Sequence, residues 1–304
     1  MNLFGKKRSK KVQLCLASGG ARGYAHIGAI RELQRRGYTI SSVTGCSMGS
    51  LVGGMFAAGK LEEFTQLMQT VDKAKMVAFS DVSLSLNHVM RGKRVIEKLK
   101  EIVPDVNIED LPIPYCAIAS DLEHGKQVEF RKGSLYDAIR ASISIPLFFE
   151  TVRRDNMVLV DGGITNPLPV KQASQMPGDI LVAVNVCSSF QTVGSHFFHE
   201  ETADQDHSKS FFGSLISHIK HPELDFNFVT LAMRNISLMM KENADLNIQI
   251  YKPDILVDLT DTPYAVFDFD KVTEIAGVGG ERMRNALDAW EESQKSWFSR
   301  LFKS

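Results

Sequence analysis

The chain changes hydrophobic period several times, from short, mainly apolar runs to stretches with an apolar residue every three or four positions. Residues 12–17 form one such run. They end in Ser18-Gly19-Gly20-Ala21-Arg22-Gly23, which predicts a buried strand entering a glycine loop. Residues 25–36 carry Ile27, Ile30 and Leu33 on one helical face, with Gly37 as the stop. Residues 39–44 read as a second strand, followed by Gly45-Cys46-Ser47-Met48-Gly49 and a helix of small residues to about Ala58. Strand, helix, strand, turn and helix open a three-layer α/β/α sandwich around a mostly parallel central sheet.

Beyond this opening, residues 61–71 and 93–102 have amphipathic helical spacing. Residues 114–120 predict a strand, and 127–130 pair with it after the turn at Glu123-His124-Gly125. A helix over 134–141 must end before Ile145-Pro146, because proline restricts the residue ahead of it. Residues 151–153 and 158–160 flank Asp155-Asn156 as a hairpin whose second strand closes on Asp161-Gly162-Gly163. Another strand is expected at 180–185, helices at 224–241 and 271–294, and a strand at 254–257. Between them, 188–212 hold Ser, Gln, His, Asp and Glu with few aliphatics and read as a flexible loop or lid. The expected organisation is a basic tail over 1–11, one catalytic domain over 12–285 and an amphipathic segment over 286–304.

Composition narrows the function classes. The 304 residues are 44% hydrophobic and 23% charged, with a net charge of −1, so no global field points to nucleic acid. Charge is local: Lys6, Lys7, Arg8, Lys10 and Lys11 crowd the first eleven residues without an acid. Cys15, Cys46, Cys116 and Cys187 form no C-x-x-C pair, which removes zinc and thioredoxin patterns and predicts buried thiols in a reducing compartment. No apolar run approaches the roughly 18 residues of a spanning helix. The expected location is cytoplasmic, with peripheral contact at the inner membrane face left open.

Three motifs carry chemistry. Gly45-x-Ser47-x-Gly49, between a strand and a helix, fits a nucleophile elbow: a strained turn presents Ser47, small neighbours permit close approach, and the following helix aims its first amides at a developing oxyanion. A helix N-cap by Ser47 is the structural alternative. The loop Gly19-Gly20-Ala21-Arg22-Gly23 also joins a strand to a helix, and its successive amides suit an oxyanion hole. A dinucleotide loop is disfavoured, because Ser18 takes the first glycine position and the next strand ends in the elbow, not in an acid. Asp161-Gly162-Gly163 is an ordinary turn when taken alone and a general-base candidate once a serine elbow exists. His196, His199 and His207 lack standard metal spacing, so neither a metal nor a cofactor is expected. A triad through His196, His199, His207, His218 or His221 stays possible by composition, but at most two strands precede the elbow, unlike the α/β-hydrolase order.

These motifs, with Ala141-Ser142-Ile143-Ser144-Ile145-Pro146, stand in the order found in patatin-like phospholipases. The chain resembles the short bacterial members over about residues 12–185, with a weaker echo at Phe267-Asp268-Phe269-Asp270. The resemblance implies a Ser47–Asp161 dyad, calcium independence and hydrolysis of lipid esters through an acyl-enzyme. Backbone amides of Gly19, Gly20 and Ala21 would hold the oxyanion, and Ser18 departs from the family's glycine while still offering its N–H. Arg22 would either brace the loop or meet a lipid phosphate. Asp121 reads as a turn residue and His26 as packing. The alternatives are an acyltransferase on the same dyad and a catalytically silent lipid-binding protein. The partner is a lipid or acyl-ester substrate; oligomeric state is not legible. Trp290, Trp297, Phe298, Leu301 and Phe302 share one helical stripe, either an interfacial anchor making transient membrane contact or a face packed on the domain.

Overall fold

The structure, a computed structural model, describes residues 10–71, 93–173, 176–188 and 228–301. Their elements in chain order are β1 (Lys11–Leu16), α1 (Ala25–Arg35), β2 (Thr39–Cys46), α2 (Met48–Ala57), α3 (Leu61–Gln69), α4 (Lys93–Ile102), β3 (Tyr115–Asp121), β4 (Lys126–Phe130), α5 (Leu135–Ser142), β5 (Val152–Arg154), β6 (Met157–Asp161), α6 (Val170–Ala173), β7 (Ile180–Asn185), α7 (Phe228–Tyr251), β8 (Ile255–Asp258) and α8 (Val272–Leu301). The proposed lid lies outside the described residues apart from Ser188, as do residues 1–9 of the basic tail.

One eight-stranded sheet runs in the order β5-β6-β3-β2-β1-β7-β8, with β4 also on β3. The strands from β3 to β8 along this path are parallel, whereas β4 and β6 pair antiparallel with β3. β1 sits centrally and is buried beyond Lys11, which explains a run that is apolar apart from Gln13. From β1 the chain steps outward through β2 to β3, then resumes on the other side with β7 and β8. Parallel steps in opposite directions, each right-handed, put their connecting helices on opposite faces. Helices α1, α2, α3, α4, α5 and α8 accordingly form one connected layer, with α6 and α7 in the other. The predicted three-layer α/β/α sandwich is thus the observed fold. The order reverses at β1, and the carboxyl ends of strands at such a point are where open α/β sheets bind ligands.

The closest helix contact locks the loop after β1 in place. A Cβ on Gly28 of α1 would fall 1.8 Å from the Ala276 carbonyl of α8, and one on Gly279 would fall 2.0 Å from Ala25 O. The two backbones touch, so α8 clamps the start of α1. Helix α8 is continuous across the boundary expected at 285, and Trp290 is partly buried against the core. Side chains from 296 onward, including Trp297 and Phe298, are outside the description. Exposed large apolar residues gather instead on α7, at Leu231, Leu238, Met239, Leu246 and Ile250. Among the described residues no helix is long and apolar enough to cross a membrane.

Candidate active site

β2 delivers Ser47 and β6 delivers Asp161 to the same edge of β3. In register, β2 pairs Tyr115 through Ile118, ending at Cys46↔Ile118, and the antiparallel β6 ends at Ala119↔Asp161. β4 covers both stretches from the other side, so β2 and β6 lie end to end on one edge. The elbow turns away where β2 stops, and β6 brings its last residue into the adjoining position.

The elbow is strained in the manner the motif predicts. Ser47 has φ 53° and ψ −122°, a left-handed φ that a side-chain-bearing residue adopts at a cost of about 1–3 kcal/mol. Its small neighbours are required by contact. A Cβ on Gly45 would meet Gly49 O at 2.3 Å, and one on Gly49 would meet Leu16 O at 2.3 Å. Ser47 does precede α2, but its side chain makes no cap hydrogen bond. The hydroxyl instead donates to Asp161 Oδ2 at 2.5 Å, with both residues buried. The other carboxylate oxygen accepts the Gly163 amide at 2.7 Å, which fixes the Asp161-Gly162-Gly163 turn. Burial raises the Asp161 carboxyl to about 6, against the opposing hydrogen bonds from Ser47 and the Gly163 amide. Burial pushes the neighbouring Cys46 thiol well up, and all four cysteines are buried and free.

The glycine loop forms a 3-10 turn over Gly20–Tyr24, packed beneath the elbow: a Cβ on Gly23 would meet Met48 Cγ at 2.3 Å. Gly20 has φ +58°, and a Cβ there would reach Val266 O at 2.5 Å, so two conditions demand glycine. Two amides expected to be available are already used. Ser18 N–H donates to Pro167 O at 2.8 Å, and Ala21 N–H donates to Val266 O at 2.8 Å. Of the five residues expected to line an oxyanion hole, Ala21 therefore has its amide committed, whereas the Gly19 and Gly20 amides have no acceptor outside the loop's own turn among the described residues. Arg22 is buried and donates from Nε to Gly19 O at 3.2 Å, while burial lowers its guanidinium to about 10. Bracing is therefore its visible role.

Two histidines are described. His26 Nε2 sits 2.9 Å from Ala17 O, and burial lowers its pKa to about 4, so the ring is neutral and Nε2–H donates. It packs, as expected, and pins the entry to the loop. His124 Nδ1 meets Asp121 Oδ2 at 2.6 Å, and Asp121 Oδ1 accepts the Glu123 amide, the turn role expected of it. His196, His199, His207, His218 and His221 lie outside the described residues. Among those described, no group of three or more His, Cys, Asp or Glu is placed to hold a metal.

Three groups near the site had no role in the sequence reading. Ser142 Oγ accepts the Ser47 amide at 2.9 Å. The 262–270 stretch lies over the glycine loop through Val266, and Phe269 meets Tyr24 edge-on at 6.2 Å. Asn243 and Asn247 of α7 donate to Thr165 O and Asn166 Oδ1 just past the Asp161-Gly162-Gly163 turn. The Ala141–Pro146 and Phe267–Asp270 motifs flag the first two regions; nothing in the α7 sequence flags the third.

Comparison with known proteins follows the same motifs. The family model described as patatin-like phospholipase matches residues 14–174. An uncharacterised NTE family protein of Mycobacterium tuberculosis is 44% identical over 181 residues, 60% of this chain and 50% of its own length. Patatin-like phospholipase domain-containing protein 7 of Mus musculus is 27% identical over 304 aligned residues, 93% of this chain and 21% of its own length. The chain thus spans half or less of these relatives. Among solved structures, VipD from Legionella pneumophila shows a loose likeness, TM-score 0.44 at 13% identity, over 93% of this chain and 67% of that one. With the matched stretch holding the glycine loop, the elbow and the Asp-Gly-Gly turn and covering more than half of the sequence, the chain belongs to the patatin-like phospholipase family.

Proposed function

We propose that this chain is a serine-dependent lipid acyl hydrolase, with Ser47 as nucleophile and Asp161 as general base. The observation that carries the reading is the buried 2.5 Å contact from Ser47 Oγ to a carboxylate whose pKa is raised to about 6. A carboxylate at its ordinary value of about 4 is a weak base for a hydroxyl; one near 6 is stronger and still ionised at neutral pH. Ser47 Oγ attacks the ester carbonyl as its proton passes to Asp161. The tetrahedral oxyanion is held by the Gly19 and Gly20 amides. Collapse expels the alcohol, which takes the proton from Asp161 and leaves an acyl-serine. Water, deprotonated by Asp161, then attacks the acyl carbonyl, and the second collapse returns the proton to Ser47 and releases the fatty acid. The exposed apolar residues of α7 stand on the helix whose asparagines hold the catalytic turn, which supports peripheral contact with the lipid surface supplying the substrate.

An ester panel of varied acyl length, with a fluorophosphonate label, tests the reading on wild type and Ser47→Ala. Turnover and labelling should both vanish in Ser47→Ala, with the melting temperature nearly unchanged. Full turnover in that variant rejects Ser47 as nucleophile.

A further inference from the structure

The segment from the end of α5 to Pro146 touches both members of the proposed dyad by separate hydrogen bonds. Ser142 is fully buried, and its hydroxyl accepts the Ser47 amide at 2.9 Å while donating to Ile118 O at 2.5 Å. Two residues on, Ser144 O accepts the Asp161 amide at 2.9 Å. Ser144 is held in turn by Arg140, whose Nη1 donates to Ser144 Oγ at 2.5 Å and whose Nη2 donates to Glu150 O at 2.9 Å. The nucleophile and the base come from strands 114 residues apart in sequence. Between them, the same three-residue segment grips the amide of each.

We propose that Ser142 is a positioning residue that sets the Ser47–Asp161 spacing, with the Ser142–Ser144 segment acting as a spacer between the two. The inference rests on the assignment of Ser47 and Asp161 above. Ser47 is held at a strained φ, so its backbone relaxes unless something fixes it. The ties from α2 run to the Ser47 carbonyl, from Ser50 N and Leu51 N, and leave the amide side to Ser142. Ile118, the acceptor at the far end of the Ser142 hydroxyl, neighbours Ala119, which registers with Asp161. Ser142 thereby ties the elbow to the point of β3 that places the base. Its removal frees the Ser47 amide and lets Oγ drift off Oδ2.

The test compares full-length wild type, Ser142→Ala, Ser142→Thr and Ser47→Ala on a water-soluble p-nitrophenyl ester across pH 5–8. In Ser142→Ala, kcat should fall about 10–100-fold with KM held within about 2-fold, since misplacement near the reacting atoms acts on the chemical step. The acid limb of kcat/KM should also move above its wild-type position, because the Ser47 hydrogen bond that lowers the Asp161 pKa weakens. Ser142→Thr keeps the hydroxyl and should recover most of the lost kcat. If Ser142→Ala fails to fold, Ser142→Cys, with a weak acceptor of similar size, takes its place and should show the same limb shift. A folded Ser142→Ala or Ser142→Cys enzyme with wild-type kcat and an unmoved limb overturns the proposal, as does Ser142→Thr being as slow as Ser142→Ala. Activity retained by Ser47→Ala rejects the nucleophile itself, a distinct result.

Discussion

Asp161→Asn separates the catalytic and structural consequences of one buried carboxylate. The amide keeps the shape: its oxygen can accept the Gly163 N–H and its nitrogen can donate to Ser47 Oγ, so both hydrogen bonds at Asp161 survive with one reversed. Only the charge and the basicity go. Raising the carboxyl from 3.8 to about 6 penalises the ionised form by about 3 kcal/mol, at about 1.4 kcal/mol per pKa step. The sign follows from linkage. Between pH 4 and 6 the folded protein binds more protons at Asp161 than the unfolded chain does, so wild-type stability falls across that window and stays level above it. Asp161→Asn lacks this term. Its melting temperature should match wild type near pH 4 and exceed it by about 5 °C at pH 8, using an unfolding entropy proportional to chain length. Turnover should fall about 10²–10⁴-fold, the usual range for a lost general base. Thermal melts at half-unit pH steps, paired with ester hydrolysis at pH 8, provide the readout. A melting difference that stays flat from pH 4 to 8, or a variant less stable at pH 8, refutes the claim that Asp161 is a buried, penalised carboxylate.

The acid limb of wild-type kcat/KM should follow a single proton near pH 6, the value to which burial raises Asp161; a limb near pH 4 contradicts the desolvated base. Gly28→Ala should lower the melting temperature by about 3 °C, because its Cβ would press on backbone atoms of α8 that cannot swing aside, a cost near 3 kcal/mol that exceeds the ~1 kcal/mol gained in helix propensity. An unchanged or raised melt there would show that the two helices part cheaply. Hydrolysis should survive excess chelator, and a loss restored by calcium or zinc would reveal a metal requirement. Replacing His26, His124, His196, His199, His207, His218 and His221 by alanine in turn should leave most turnover in each case; a histidine variant as inactive as Ser47→Ala, alongside an active Asp161→Asn, would establish a triad.

Sequence pattern carried the local structure further than the contacts that complete the site. The run from 12 to 17, the elbow after β2 and the hairpin into Asp161 all follow from periodicity and turn chemistry. The end of α7 did not: the helix continues to Tyr251, ten residues past the expected stop. Beyond Lys241 the face turned to the domain mixes Ala244, Ile248 and Tyr251 with Asn243 and Asn247, which donate to a polar turn. Apolar periodicity fades on such a mixed face. The Ala21 amide failed for another reason. A glycine loop announces that amides are close together, but not which are already spent on Val266, more than two hundred residues away in sequence. Ser142 was visible as part of a motif, yet its partner is a backbone amide, which leaves no trace in side-chain pattern.

The direct contact between Ser47 and Asp161 follows from strand geometry. Residues along a strand are about 3.3 Å apart, so two strands that both end at adjoining positions of one β3 edge bring the side chains at their ends together without an intermediary. In a serine–histidine–acid arrangement the imidazole spans the distance between hydroxyl and carboxylate. Here 2.5 Å separates the two oxygens, and an imidazole has no place between them. On the proposed dyad, with no group between the two oxygens, the whole demand for basicity falls on the carboxylate. Exposed, Asp161 would stay near its ordinary pKa and take the serine proton poorly; buried at the junction of β2, β3 and β6, it is driven upward by lost solvation. The end-to-end strands that place the acid beside the serine also bury it, so one feature of the sheet supplies both the contact and the basicity that the contact needs.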